Sequence, residues 1–177
     1  HFDWHTLRIP GVLQRIALCT LLAGPIVVYC GWRQQLAWIV ALYAAYSVLM
    51  LLIPVPDAQG LVAAGALEPG RDLGAFVDRW LMDGHLWSQS KTWDPEGLVS
   101  TLPAICNLLL GYLAGRWIDQ GRSRAERTLW LVIAGLVCLS LGTLLELTAM
   151  PINKSLWTVS YSVFTTGWAL IVFGVFY

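Results

Sequence analysis

The 177 residues carry 11 Lys+Arg against 11 Asp+Glu, a formal net charge of zero, and are 57% hydrophobic but only 12% charged. Soluble domains carry about 25% charged residues, so this composition, with a mean hydropathy of +0.63, excludes an ordinary soluble domain and indicates an integral membrane protein. The neutral balance, without a Lys/Arg stripe interleaved with aromatics, also excludes a nucleic-acid footprint.

A helix that crosses a bilayer needs about 17–25 apolar residues, and five such runs are readable. The first covers residues 11–29, with Pro10 at its start and Pro25 as an internal kink. The second covers 36–53 and stops at Pro54-Val55-Pro56. A long connection, 54–95, follows, with one short helix expected over 72–82. The third run covers 96–117 and opens on Asp94-Pro95-Glu96-Gly97. Asp is a preferred N-cap, Pro suits the first helical position, and an acidic first turn complements the helix dipole. The fourth run covers 128–145. The fifth covers 156–176, with Ser155 or Asn153 placed to cap it. The fold class is therefore all-α: a polytopic transmembrane bundle of five spans with one long extracytoplasmic loop.

Orientation follows from the basic residues, which favour the cytoplasmic side. Threading the five runs gathers Arg33, Arg116, Arg122, Arg124 and Arg127 on one face, against only Asp119 and Glu126. The other face holds Arg8, Arg15, Arg71, Arg79, Lys91 and Lys154 among a larger number of acids, and reads as periplasmic or luminal. Anionic lipid accounts for the cytoplasmic cluster; the phosphates of a nucleotide cofactor, held by Arg116, Arg122 and Arg124, are the sharper alternative. Several of the ten tryptophans, Trp32, Trp80, Trp87, Trp93, Trp117 and Trp157, lie near span ends, as an aromatic belt does. Cys19, Cys30, Cys106 and Cys138 show no C-x-x-C spacing and read as ordinary small residues of apolar spans.

The motif-bearing face is where polar residues need explaining. Arg8 and Arg15 are seven apart, and Arg15 sits about a turn inside the apolar run. An unpaired guanidinium there costs about 2.5–3.5 kcal/mol, so Arg15 snorkels to the interface, pairs with Asp94, Glu96 or Glu146, or meets an anionic ligand. Asp94 and Glu96 cap a helix and are also carboxylates able to orient an imidazole or receive an ammonium. Lys154 stands at a helix N-terminus, which the dipole disfavours, and either balances Glu146 or serves a site. His85, in the long loop, is the best-placed imidazole, although a loop histidine is equally an ordinary surface residue.

These stretches, Leu7-Arg-Ile-Pro-Gly-Val-Leu-Gln-Arg-Ile16, Val77-Asp-Arg79, His85-Leu86, Trp93-Asp-Pro-Glu-Gly-Leu-Val-Ser-Thr-Leu-Pro-Ala104 and Pro151-Ile-Asn-Lys-Ser-Leu-Trp157, resemble the heparan-α-glucosaminide N-acetyltransferase family in order and spacing. The resemblance covers nearly the whole chain. It implies residues 1–177 as a middle portion of a larger transmembrane acyltransferase bundle, in the bacterial inner membrane or, in a eukaryote, the lysosomal membrane. It implies transfer of acetyl from acetyl-CoA, without a metal, to the amine of a terminal glucosamine or related amino sugar. The family's catalytic histidine lies upstream of the R-I-P-G-V-L-Q-R motif, and neither His1 nor His5 matches that segment, so it is expected outside these residues. Carried over residue by residue, Asp94 and Glu96 are the catalytic expectations, with Asp94 orienting or charge-balancing that histidine and Glu96 and Arg15 forming a polar floor. Arg8, Gln14, Arg15, His85, Asn153, Lys154 and Trp157 are expected at the sugar or thioester. A homo-oligomer and contacts to lipid and to the remaining helices are the partners implied. A small-sugar transporter, binding sugar without acetyl-CoA, is the alternative; a scaffold would bind neither.

Overall fold

The computed structural model describes residues 7–121 and 123–177. Its elements in chain order are α1 (Val12–Tyr29), α2 (Trp32–Leu52), β1 (Val55–Pro56), β2 (Val62–Ala63), α3 (Leu73–Met82), α4 (Thr101–Ile118), α5 (Arg124–Thr148) and α6 (Val159–Phe176). The chain is a helix bundle with one two-residue antiparallel hairpin, β1 against β2. Among the described residues four helices, α1, α2, α5 and α6, are long and apolar enough to cross a membrane. This is the make-up of an integral multi-pass membrane protein. The expected third span corresponds to α4, which has 18 residues but includes Pro103, Asn107 and Arg116 and is not among those four.

α4 is the central helix, packed against α1, α2 and α6. It contributes Ala104, Ile105, Cys106 and Leu109 to a core shared with Cys19 and Ala23 of α1 and Ile39 of α2. A second core joins Tyr46 and Met50 of α2 to Val55, Leu73, Met150, Leu156, Val159 and Val163. α5 and α6 form an extended antiparallel pair whose contact is made by glycines. A Cβ on Gly167 would stand 2.7 Å from the Gly135 carbonyl oxygen, and one on Gly142 would stand 2.8 Å from Phe164 Cβ. Small residues let membrane helices approach until backbones touch, which dispersion then rewards. The outward faces of all four apolar helices expose large side chains, among them Leu13, Leu21, Val40, Leu147 and Phe176.

The long connection is folded, with two ends of its structure set by charged side chains. Asp72 caps α3 by accepting from the Ala75 amide at 3.1 Å, as an N-cap aspartate does. Arg79 reaches out of α3 to three carbonyls, Gly70 and Thr92 through Nη1 and Pro56 through Nη2, each at 3.0 Å. One guanidinium fork therefore ties three separate stretches of the connection to one helix. Asp57 closes the hairpin by accepting from the Gln59 and Leu61 amides, both at 2.9 Å, and pairs with Arg71 at 3.4 Å.

Two expected boundaries differ from the structure. Residues 95–100 form consecutive turns, and α4 begins only at Thr101, with Ser100 at its N-cap. Asp94 does not cap it, because Arg8 takes both its oxygens. α6 begins at Val159, and its cap is Thr158, which accepts from the Tyr161 amide at 3.4 Å, rather than Ser155 or Asn153. The hairpin was not expected from sequence.

Candidate functional site

One end of the bundle gathers the motifs at 7–16 and 93–104. The extended segment before α1 lies against the long connection: Ile9 N–H donates to the His85 carbonyl at 2.9 Å, and His85 Nδ1 meets the Leu7 carbonyl at 2.8 Å. That places Arg8 over the Trp93–Ser100 turns. Its Nε donates to Asp94 Oδ2 at 2.8 Å and its Nη2 to Asp94 Oδ1 at 2.6 Å, a two-pronged pair, and Nη2 also reaches Glu96. The Asp94 hydrogen bond lifts the Arg8 pKa above its ordinary value, against partial desolvation, and the two carboxylate charges add to the effect. Asp94, 5% exposed, also accepts from the Glu96 amide at 2.9 Å, so its position is fixed from both sides.

Arg15 lies one level deeper, on the first turns of α1 and 8% exposed. It makes no ion pair among the described residues. Its Nη2 donates to the Pro95 carbonyl at 2.6 Å and to the Ser100 hydroxyl, and its Cζ stands 4.9 Å from the ring centroid of Trp157. Carbonyl, hydroxyl and aromatic face thus replace the expected carboxylate, and Nε has no partner among the described residues. Trp157 brings the last motif to this point. It is a non-glycine residue at φ +55°, a conformation that costs about 1–3 kcal/mol and persists only where surroundings impose it. Here the surroundings are Arg15, the Tyr161 ring at 5.3 Å and Asn107.

Asn107 is the residue that sequence reasoning missed. Trp157 Nε1, which can only donate, gives its proton to Asn107 Oδ1 at 2.9 Å and so fixes the amide's orientation. Ser162 Oγ donates to the same oxygen at 2.7 Å; the Tyr43 hydroxyl, 2.7 Å from Ser162 Oγ, is then the donor of that pair. Asn107 Nδ2 donates to the Ser162 carbonyl at 3.0 Å and to Thr166 Oγ1 at 2.8 Å. A polar column therefore runs from Arg8 through Arg15 and Trp157 into the middle of the bundle. A single asparagine inside an apolar helix was the available signal.

Beside that column a groove of about 640 Å³ runs between α4 and α6, from Asn107, Trp157 and Thr166 past Gly111 to Gly115 and Phe173. Gly111 and Gly115 have nothing within 4 Å of where a Cβ would stand. They line open space. The far end of the bundle is basic: Arg116 lies 6.0 Å from the Tyr112 ring, Arg124 lies 5.8 Å from the Tyr177 ring, and Arg127 donates to the Tyr177 hydroxyl at 2.5 Å. Arg122 of the expected cofactor set lies outside the described residues, as do His1 and His5.

Other expected site residues stand apart from the column. Gln14 is exposed, its amide folded over Gly11. His85 holds the Leu7 segment and makes no hydrogen bond to Asp94 among the described residues. Asn153 shapes its own turn, its Oδ1 accepting from the Ser155 amide at 2.9 Å. Lys154 and Glu146 are both exposed, and no ion pair joins them among the described residues.

No family model matches the chain. Two curated relatives do align with nearly all of it. Heparan-alpha-glucosaminide N-acetyltransferase of Homo sapiens is 28% identical over 225 aligned residues, which cover 99% of this chain and 33% of the relative. The same enzyme of Mus musculus is also 28% identical, covering 99% of this chain and 34% of its own length. The chain thus spans about a third of these relatives' length, and it is a distant relative of heparan-alpha-glucosaminide N-acetyltransferase, similar to one portion of it.

Proposed function

We propose that this chain is part of a membrane-embedded acetyltransferase that moves acetyl from acetyl-CoA to the amine of a terminal glucosamine or a related amino sugar. The observation that carries the reading is the Arg8–Asp94–Glu96 cluster, with Asp94 buried at its centre, continuing into Arg15 and Trp157. Polar groups at the mouth of an apolar bundle are expensive unless they serve one another and a ligand. The low-identity similarity to an N-acetyltransferase supports the same chemistry.

In this reading α4 crosses the membrane as a fifth span, with the arginine-rich end cytoplasmic and the Arg8–Asp94 entrance on the far side. Acyl transfer to an amine needs a base for the amine proton and donors for the developing oxyanion. Acetyl-CoA supplies the activated acetyl group. Asp94, held rigidly by Arg8, orients or charge-balances the base; Glu96, on the more open side of the pair, faces an incoming ammonium. Trp157 supplies an apolar face for the sugar or the thioester, and the Arg15 Nε–H, without a partner among the described residues, is a donor beside it. The groove along Gly111 and Gly115 suits a narrow, mostly apolar arm, and Arg116 and Arg124 offer cations to phosphates at its basic end.

The test is release of free thiol from acetyl-CoA by the full-length protein in the presence of glucosamine. Acceptor-dependent release, with N-acetylated product, is expected. Sugar binding without thiol release would indicate a permease and overturn the proposal.

A further inference from the structure

Behind the Arg8–Asp94 pair lies a narrow cavity of about 10 Å³ that includes Asp72, Asp78 and Asp94 in its lining. Asp72 caps α3, Asp94 belongs to the entrance, and Asp78 lies between them, on α3, only 1% exposed. Asp78 Oδ1 accepts the Leu98 N–H at 3.0 Å. A Cβ on Gly97 would fall onto the Asp78 carboxyl, so the carboxyl occupies the space that any other residue at 97 would need. α3 therefore grips the turn at two successive residues. The residues just before them carry the entrance: Asp94 and Glu96 toward Arg8, and the Pro95 carbonyl toward Arg15.

We propose that Asp78 is a positioning residue for this entrance, its carboxyl seated against Gly97 and bonded to the Leu98 amide so that it sets where Asp94, Glu96 and the Pro95 carbonyl stand. Its catalytic consequence rests on the acetyl-transfer reading. The charged and titratable groups facing Asp78 are Asp94 from the turn, Asp72 from the start of α3, Arg15 from α1 and Tyr46 from α2. Burial pushes the Asp78 carboxyl up to about 6; the Leu98 amide opposes this, Asp94 and Asp72 add to it, and Arg15 opposes it. A protonated Asp78 keeps an oxygen for Leu98 while removing a third negative charge from beside Asp94 and Asp72. The turn is thus held more firmly on the acid side of pH 6.

The experiment compares wild type, Asp78→Asn, Asp78→Ala and Gly97→Ala in the full-length protein, reading turnover, acetyl-CoA KM, pH profile and hydrogen exchange of the 94–98 amides. Asp78→Asn retains an acceptor of the same shape, so it keeps turnover but loses the inflection near pH 6. Asp78→Ala and Gly97→Ala disturb the turn and lower kcat by about 100-fold, the scale of a 1 Å misplacement, with acetyl-CoA KM unchanged. Gly97→Ala approaches the same contact from the turn and serves if Asp78→Ala does not fold. Wild-type kcat and an intact inflection in all three variants would overturn the proposal. If the wild type itself releases no thiol, the acetyl-transfer reading fails separately. Faster Leu98 exchange in Asp78→Ala but not in Asp78→Asn still supports the positioning role, and equal exchange in all overturns it.

Discussion

Asp94 has both carboxylate oxygens committed to Arg8, so its role depends on charge more than on hydrogen-bond count. Asp94→Asn keeps the shape and one acceptor but removes the charge that holds the guanidinium. In the full-length protein it should cut acetyl transfer at least tenfold, about 1.4 kcal/mol of barrier, while the protein still inserts; unchanged thiol release would remove Asp94 from the mechanism. Asn107→Leu tests the column below. It deprives Trp157 Nε1, Ser162 and Thr166 of their partner, and hydrogen bonds between membrane helices are worth about 0.6–1.7 kcal/mol each. The expected loss is therefore about 2 kcal/mol, visible as a lower melting temperature in detergent, and a melt equal to wild type would show that the network contributes little. Arg8, Arg15, Asp94 and Trp157 were legible as candidates because charge and aromatic residues stand out at the ends of apolar runs. Their partners were not. Nothing local to Arg15 says that a carbonyl and a hydroxyl about 80 residues away replace a carboxylate, and nothing near Asn107 marks it apart from its polarity.

Helices were the most legible elements, because apolar length alone identifies them. α3 was also readable, since Asp72 has cap chemistry and an amphipathic run follows. The start of α4 was not. Asp-Pro-Glu-Gly satisfies every local rule for a helix N-terminus, and the tertiary demand of Arg8 overrides them, leaving two turns where a helix was expected. The two-residue hairpin is set by Asp57 and its amide contacts, a signal too short to separate from any loop. Glycines divide in the same way: those of α5 and α6 are closed contacts and those of α4 are open, although their sequence settings look alike. Gly142→Leu should push α6 away and destabilise the pair by about 1–3 kcal/mol, the range for overpacking. Gly111→Leu should leave the melt unchanged and, with the groove filled, raise the acetyl-CoA KM. A matched loss of stability in both variants would mean that the α4 groove is not open in the membrane.

For the molecule as a whole, the carboxylates of the long connection predict an acid-leaning stability profile. Burial raises Asp72, with the Ala75, Gly74 and Gly70 amides opposing, and Asp78 rises to about 6. Groups with raised folded values stabilise the fold when protonated, so this contribution is complete below the ordinary carboxylate value and is lost as pH rises to about 6. Desolvation also pulls Asp57 upward, but the Leu61 and Gln59 amides and Arg71 outweigh it and leave it below its ordinary value. That contribution is lost only in stronger acid. The protein should therefore melt higher at pH 5 than at pH 7, and Asp78→Asn should flatten the difference; a profile that rises from pH 5 to 7 in the wild type would contradict this. The seat of Arg15 also has a consequence for biogenesis. The cation enters the bilayer with α1, yet its acceptors at Pro95 and Ser100 and its ring at Trp157 are translated about 80 and about 140 residues later. Until they emerge, α1 carries an unsolvated charge worth about 2.5–3.5 kcal/mol against full insertion. α1, the earliest of these helices to leave the ribosome, is thus among the last of them to reach its final depth, and a nascent chain arrested before residue 95 should hold it shallow, with Arg15 at the lipid headgroups.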